Sequence, residues 1–193
     1  MNNTYKTFWR RFFAGFIDGI ALMIIGFATS MFTTPNGEVF TPLQAIVDNS
    51  VWLAYTIYLH GRYGQTLGKM ICKVKVVTTL GDNITFLHAL KRNIVYVILS
   101  VMTLATFFTH KEEYANYNES MAFIESFEVT EENYDNEEFN KHFEAISNLW
   151  GSPVMWIGYV SMVYFLLEVI TMLTNKKRRA IHDFIAGTEV RRL

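Results

Sequence analysis

Four apolar stretches alternate with polar segments along the chain, and this pattern predicts an all-α membrane protein. A helix needs about 20 apolar residues to cross a bilayer. The predicted spans cover residues 12–32, 43–60, 93–109 and 153–174. The second span is the least apolar, because its strongly apolar part, Val51–Leu59, is too short to cross alone. We therefore expect a four-transmembrane-helix bundle that forms a single domain over residues 1–193.

The segment between the second and third spans has a different pattern. Residues 64–71 are typical of a short interfacial helix, whereas residues 73–79 alternate polar and apolar side chains as a strand does. A turn sequence follows at 81–83, so a short hairpin-like segment is expected here. Thr85 is a suitable N-cap for the helix that leads into the third span.

A long polar insertion, residues 111–149, separates the third and fourth spans. Between Lys111 and Glu144 it contains 11 acidic residues and two lysines. Phe139, Phe143, Ile146 and Trp150 recur at helical spacing and form an amphipathic stripe. The insertion is therefore predicted to be a partly helical, acidic cap outside the membrane.

Basic residues near the span ends predict the orientation of the chain. Arg10 and Arg11 precede the first span, the segment 61–92 carries six basic residues, and the tail after the fourth span carries six more. Lysine and arginine accumulate in cytoplasmic loops. This distribution predicts a multi-pass protein of the cell (plasma or inner) membrane with both termini in the cytoplasm and the insertion on the other side.

The composition argues against several other classes of protein. The single cysteine, Cys72, excludes an internal disulfide and a cysteine-based metal cluster. The segment Gly64–Met70 differs from a phosphate-binding loop, since its glycines are too close and Met70 stands where Ser or Thr would bind magnesium. No nucleophile–base arrangement or cofactor motif is present. We expect no enzyme activity, no cofactor, no metal site and no nucleic-acid partner.

Three blocks of residues resemble the RDD family of small integral membrane proteins. The first is Arg11–Asp18 (RFFAGFID), and the second runs from Gly64–Lys69 (GQTLGK) to Ala89–Asn93 (ALKRN). The third is His182–Val190 (HDFIAGTEV). The blocks occur in the order of the family, and the resemblance covers the predicted cytoplasmic half of the chain.

This resemblance implies that Arg11, Asp18 and Asp183 correspond to the arginine and two aspartates for which the family is named. It also implies membrane transport as the suspected activity, because some members are regarded as sodium–proton antiporters. The insertion 111–149 is longer and more acidic than the family pattern.

Two carboxylates fall inside predicted spans. Counting about 1.5 Å per residue from the cytoplasmic ends places Asp18 and Glu168 at a similar depth of roughly 10 Å. Ionisable groups at such depth form proton relays and ion sites in transporters. In the alternative, they are structural: Arg11 or Arg92 reaches inward to Asp18, and Asp183 pairs with the other arginine.

Other polar residues have two interpretations each. Asp48 marks either the interfacial start of the second span or an outer part of a transport pathway. Lys69, Lys73 and Lys75 are predicted to contact anionic lipid headgroups. The histidines at positions 60, 88 and 182 are expected to be satisfied or solvated rather than metal ligands.

Two functional hypotheses follow. The first is a small cation/proton transporter that uses intramembrane carboxylates and works as a homo-oligomer in the lipid bilayer. The second is a non-transporting membrane scaffold, or accessory subunit of a membrane complex, that binds a protein partner through residues 111–149.

Overall fold

The structure is a computed structural model that describes residues 6–34, 41–127, 137–149 and 151–193. It is mostly helical within these ranges. The elements in chain order are α1 (Phe8–Thr33), α2 (Pro42–Tyr63), α3 (Leu67–Ile71), β1 (Val74–Thr78), α4 (Phe86–Thr109), α5 (Lys111–Ser126), α6 (Glu137–Leu149), α7 (Pro153–Thr174), α8 (Ile181–Ile185) and β2 (Thr188–Arg192).

Three of the four predicted spans are helices long and apolar enough to cross a membrane: α1, α4 and α7. Large apolar side chains cover their outer surfaces. Phe27 of α1 is 72% exposed, and Trp156 of α7 is 62% exposed. Apolar surface on this scale is expected where a helix meets lipid. The predicted second span corresponds to α2, which is helical but is not among these three.

The ends of the helices follow from local sequence signals. Thr41 caps α2 by accepting a hydrogen bond from the backbone N–H of Gln44 at 3.1 Å, and Pro42 occupies the first turn. Gly64 ends α2 in the left-handed conformation, with φ of 71°. Thr85 caps α4 as predicted, and its backbone N–H donates to His88 Nδ1 at 3.3 Å. Pro153 opens α7, as expected for a proline in the first turn.

The helices pack in a chain of neighbours. In the described residues α2 packs against α1 and α4, α4 also packs against α7, and α1 packs closely against the short helix α3. The start of α1 is fixed by Arg10, whose Nη1 donates to the carbonyl of Cys72 at 2.7 Å. The N-terminal end of α1 therefore lies beside α3 and β1. We call this end of the bundle the basic end.

A two-stranded antiparallel sheet covers the basic end. The strand predicted over 73–79 is confirmed as β1. The predicted hairpin-like turn is present only as a single antiparallel bridge between Val77 and Asn83, and the strand that pairs along β1 is the C-terminal strand β2. Val76 lies opposite Val190, and both are fully buried with Val74. The alternation of polar and apolar residues predicted the position of β1 correctly. It could not predict the partner strand, which lies more than a hundred residues later in the chain.

In the described part of the insertion, α5 and α6 pack together at the opposite end, and we call this pair the acidic hairpin. Phe123 of α5 stacks on His142 of α6 with ring centroids 4.2 Å apart, and Phe127 meets Phe139 at 5.2 Å. Of the predicted helical stripe, Phe139 therefore packs within the hairpin, whereas Phe143 is largely exposed. Trp150 lies outside the described residues. Tyr114 stacks on Phe107 at 4.6 Å and joins the hairpin to α4.

Candidate functional site: a polar cavity at the basic end

Asp183 is the centre of a buried ion-pair cluster. Its carboxylate is fully buried in the first turn of α8 and accepts a hydrogen bond from the backbone N–H of Ala180 at 2.9 Å. Arg11 Nη2 lies 2.9 Å from one carboxylate oxygen, and Arg92 Nη1 binds the other. Although burial alone would raise the pKa of Asp183, the two guanidinium groups hold it well below its usual range. Asp183 is therefore ionised.

The same cluster binds the C-terminal tail to the bundle. Arg92 Nη1 also donates to Thr188 Oγ1 at 2.6 Å, and Arg11 Nη1 donates to the carbonyl of Arg178 at 2.8 Å. Arg92 is only 4% exposed. The Arg11–Asp183–Arg92 cluster thus joins α1, α4, α8 and β2, which makes it a clamp between distant parts of the chain.

Asp18 has a different environment from the one expected. No arginine pairs with it in the described residues; both arginines bind Asp183 instead. The carboxylate of Asp18 accepts hydrogen bonds from Tyr55 Oη at 2.6 Å, Thr66 Oγ1 at 2.6 Å and the backbone N–H of Gly68 at 2.8 Å. The predicted pairing of Asp18 with arginine is wrong, because neutral donors from α2 and from the start of α3 bind its carboxylate.

The close approach of α3 to α1 depends on Gly68. A Cβ atom at this position would lie 2.1 Å from the carbonyl oxygen of Ala14 and 3.0 Å from Cγ of Asp18. Real contacts of this kind do not occur, so glycine is required for the helices to touch. Gly68 therefore allows its own N–H to reach Asp18.

Glu168 pairs with His182 rather than with Asp18. His182 Nδ1 lies 2.5 Å from Glu168 Oε1, and Arg11 Nη2 lies 3.4 Å from His182 Nε2. Since guanidinium can only donate, Nε2 accepts and Nδ1 carries the proton that is donated to Glu168. Burial, followed by the charge of Arg92, lowers the pKa of His182. His182 is therefore a neutral imidazole.

His60 and Lys69 form a hydrogen-bonded pair of basic side chains. His60 Nδ1 donates to the carbonyl of Thr56 at 2.7 Å, which leaves Nε2 as the acceptor for Lys69 Nζ at 2.6 Å. Burial of the ammonium and the nearby charges of Arg92 and Arg11 lower the pKa of Lys69 from 10.5 to about 7. Lys69 and His60 together can hold or release a proton near neutral pH.

These groups surround one cavity of about 350 Å³ between the helices. Its walls come from α1, α2, α4 and α7, and its base from α3 and α8. The ionisable and phenolic side chains that line it are Asp18, Tyr55, His60, Lys69, Arg92, Tyr96, Glu168 and His182. Asp18 and Glu168 thus line the same space, but no hydrogen bond joins them in the described residues. No three His, Cys, Asp or Glu side chains of the described ranges converge as metal ligands.

The remaining predicted residues lie elsewhere. Asp48 is exposed in the second turn of α2, where it accepts a hydrogen bond from Gln44 Nε2 at 2.7 Å, and it does not line the cavity. Lys73 is exposed, and Lys75 is partly buried beside β2. Lys69 was predicted with them as a headgroup contact; in the structure its ammonium donates to His60 Nε2 and lines the cavity.

Sequence reasoning did not identify Tyr55, Thr66, His60 and His182 as site residues. Tyr55 carries no signal of its own, since it is an ordinary residue for its segment. The other three carried a signal. Thr66 and His182 lie inside blocks that resemble the family, His60 lies four residues before one, and His182 directly precedes Asp183.

Comparison with known proteins identifies the family of the chain. The chain matches the RDD family over residues 5–187, nearly its whole length, and belongs to that family. With its apolar helices it is a membrane protein in contact with the lipid bilayer. Neither the curated proteins nor the solved structures contain a match.

Proposed function

We propose that this protein is a small transporter, not an enzyme, that exchanges a monovalent cation for a proton across the cell membrane. The observation that carries the proposal is the polar cavity, in which two carboxylates face two neutral imidazoles and a lysine of lowered pKa. Buried ionisable groups inside a membrane bundle are costly and mark ion or proton pathways.

The charges around the cavity support an exchange of one positive charge for another. The cluster contains two positive charges and three negative ones. The positive charges are the guanidinium groups of Arg11 and Arg92, and the negative ones are the carboxylates of Asp18, Glu168 and Asp183. With neutral histidines and neutral lysine, the cluster has one negative charge in excess. A proton on the Lys69–His60 pair cancels this charge, and so does a bound monovalent cation. In a medium of low dielectric constant the two states therefore exclude each other.

The contacts support distinct roles for the acidic groups. Asp183 is a structural anchor, because both of its oxygens are bound to arginine. Asp18 holds α3 against α1 through three donors. Glu168, bonded to a neutral imidazole, is the carboxylate best suited to bind the cation when the Lys69–His60 pair has released its proton.

The proposal includes α2 as the fourth spanning helix. It is 22 residues long and lies between α1 and α4, which are both candidate spans. Four spans put both termini on one side, and the basic residues near the helix ends favour the cytoplasm for that side. We further propose a homo-oligomer in the plasma or inner membrane, since four helices leave little room for a complete pathway.

Proteoliposomes that contain a pH-sensitive dye test the proposal. The wild-type protein should give a sodium- or potassium-dependent proton flux that empty vesicles lack. Glu168→Gln and Lys69→Met should abolish it, whereas Glu125→Gln, which changes an exposed carboxylate of α5, should not. Absence of flux in the wild-type protein would reject the exchange reaction. Flux that survives Glu168→Gln would move the site elsewhere. Flux lost in Asp48→Asn would extend the pathway to the N-terminal turns of α2, beyond the cavity.

The alternative is a membrane scaffold that binds a partner through the acidic hairpin. One observation favours it: Phe143 of α6 is 59% exposed on a helix that carries three glutamates and one lysine. A stoichiometric partner that co-purifies with the full chain and is lost when residues 112–148 are deleted would support this alternative. A chain that purifies alone and transports normally without that segment would count against it.

A further inference from the structure

A groove of about 570 Å³ opens between α1 and α7 at the basic end. This volume lies within the usual range of about 300–1,000 Å³ for small-molecule sites. Within the described residues α1 packs on α2 and α3, and α7 packs on α4 and α8, so the groove separates two helices that have other partners. It faces the surface that the spanning helices present to lipid.

The walls of the groove are apolar. They consist of side chains from the first three turns of α1 and the last three turns of α7, including Phe12, Phe16, Phe165, Leu166 and Met172. Several of these are half exposed, for example Phe16 at 63% and Leu166 at 50%. The groove therefore lies within about 12 Å of the helix ends, which is the depth of the headgroup and upper acyl region of one leaflet.

The inner end of the groove is basic. Arg11, Lys69 and His182 line it together with Asp18, whose carboxylate is already bound by three donors. An ammonium has three N–H donors, and His60 accepts only one from Lys69. An anionic group at this position would gain charge-assisted hydrogen bonds.

The groove also opens into the polar cavity. Gly15, Asp18, Lys69, Phe165 and His182 line both spaces. At Gly15 a Cβ atom would have no neighbour within 4 Å, so the missing side chain leaves this passage open.

We propose that the groove is a binding site for an anionic phospholipid, with one acyl chain between α1 and α7 and the phosphate at Lys69 and Arg11. The apolar walls match the acyl chain, the basic inner end matches the phosphate, and the depth matches the leaflet. A phosphate at Lys69 would stabilise its ammonium form, so the bound lipid would influence the protonation of the cavity. The binding site does not depend on the transport reaction.

Binding of phosphatidylglycerol and phosphatidylcholine to the detergent-solubilised full chain, measured by native mass spectrometry, tests the proposal. We expect one molecule of phosphatidylglycerol to bind about tenfold more tightly than phosphatidylcholine, which is the effect of one charge-assisted hydrogen bond. Lys69→Met should remove the preference and leave the two lipids equal. The measurement requires no transport, so its outcome is separate from that of the flux experiment.

Two variants fill the groove from opposite walls, namely Gly15→Leu and Leu166→Trp. Loss of phosphatidylglycerol binding in either folded variant supports the site. Gly158→Leu is the matched control, because Gly158 is an exposed helical glycine of α7 outside the groove. A Cβ atom added at Gly158 would have no neighbour within 4 Å. This control should keep the wild-type preference.

The proposal is overturned if the wild-type protein binds both lipids equally, or if both filled-groove variants keep the preference. It is also overturned if the groove holds a second copy of the chain. In that case the wild-type protein would be a dimer. Gly15→Leu would dissociate this dimer, and added phosphatidylglycerol would not change it.

Discussion

The side chain of Arg92 binds the carboxylate of Asp183, which lies 91 residues later in the chain. Both side chains are buried, and Arg11 binds the second oxygen of the same carboxylate at 2.9 Å. One anion therefore neutralises part of the charge of two cations. Removal of the anion should have a larger effect than removal of an exposed charge.

Asp183→Asn should destabilise the protein by about 3–5 kcal/mol, the usual effect of leaving a buried charge without its partner. Here two guanidinium groups would lose that partner. Denaturant unfolding in detergent micelles, followed by circular dichroism, measures the change. Asp82→Asn is the control, because Asp82 is exposed in the turn after β1. Equal stability of the two variants would show that the cluster is not a clamp.

Gly68→Ala should destabilise the contact between α3 and α1. The added methyl group would lie 2.1 Å from the carbonyl oxygen of Ala14, so α3 must move away and its N–H must leave Asp18. Overpacking of this kind costs about 1–3 kcal/mol. Thermal unfolding in detergent checks the prediction.

Gly158→Ala is the matched control for this substitution, since its methyl group meets no atom within 4 Å. In a helix, alanine is favoured over glycine by about 0.5–1 kcal/mol. The two glycine variants should therefore shift the melting temperature in opposite directions. A shift in the same direction would contradict the close approach at Gly68.

Tyr55→Phe should remove one of the three hydrogen bonds to Asp18. A hydrogen bond to a charged group contributes about 1.5–3 kcal/mol. In an Asp18→Asn background the same substitution should cost less, because the charged acceptor is already absent. A double-mutant cycle of unfolding free energies measures this coupling. Tyr63→Phe, at an exposed position of α2, should show no coupling to Asp18.

The stability of the protein should depend on pH through Lys69. Its pKa is lowered to about 7 in the folded state, whereas an unfolded lysine titrates near its ordinary value of about 10.4. Between these values the unfolded state binds more protons, so the free energy of unfolding should rise with pH from about 7.5 to 10. Below about pH 7 both states are protonated and the slope vanishes.

Lys69→Met should remove this part of the pH dependence, and Lys91→Met, at an exposed position of α4, should retain it. The comparison uses unfolding free energies of both variants and the wild-type protein at matched pH values. Identical slopes for the wild-type protein and Lys69→Met would mean that the ammonium of Lys69 is not desolvated by the cavity.

Local patterns in the sequence determined the elements. Hydropathy and helical period predicted α1, α4 and α7, because a run of about 20 apolar residues is a property of adjacent positions. The caps at Thr85 and Pro153 and the strand at β1 also depend only on near neighbours. Charge segregation separated the basic end from the acidic hairpin for the same reason.

Tertiary structure decided which groups meet. The sequence placed Asp18, Glu168, Asp183, Arg11 and Arg92 at one end of the bundle, but it did not determine their partners. Pairing depends on the rotation of each helix about its axis and on the packing of α3 against α1 beside Asp18, and no local period encodes either. Three features were therefore set only when the chain packed. They are the pairing of β1 with β2, the inward direction of Lys69, and the binding of both arginines to Asp183 rather than to Asp18.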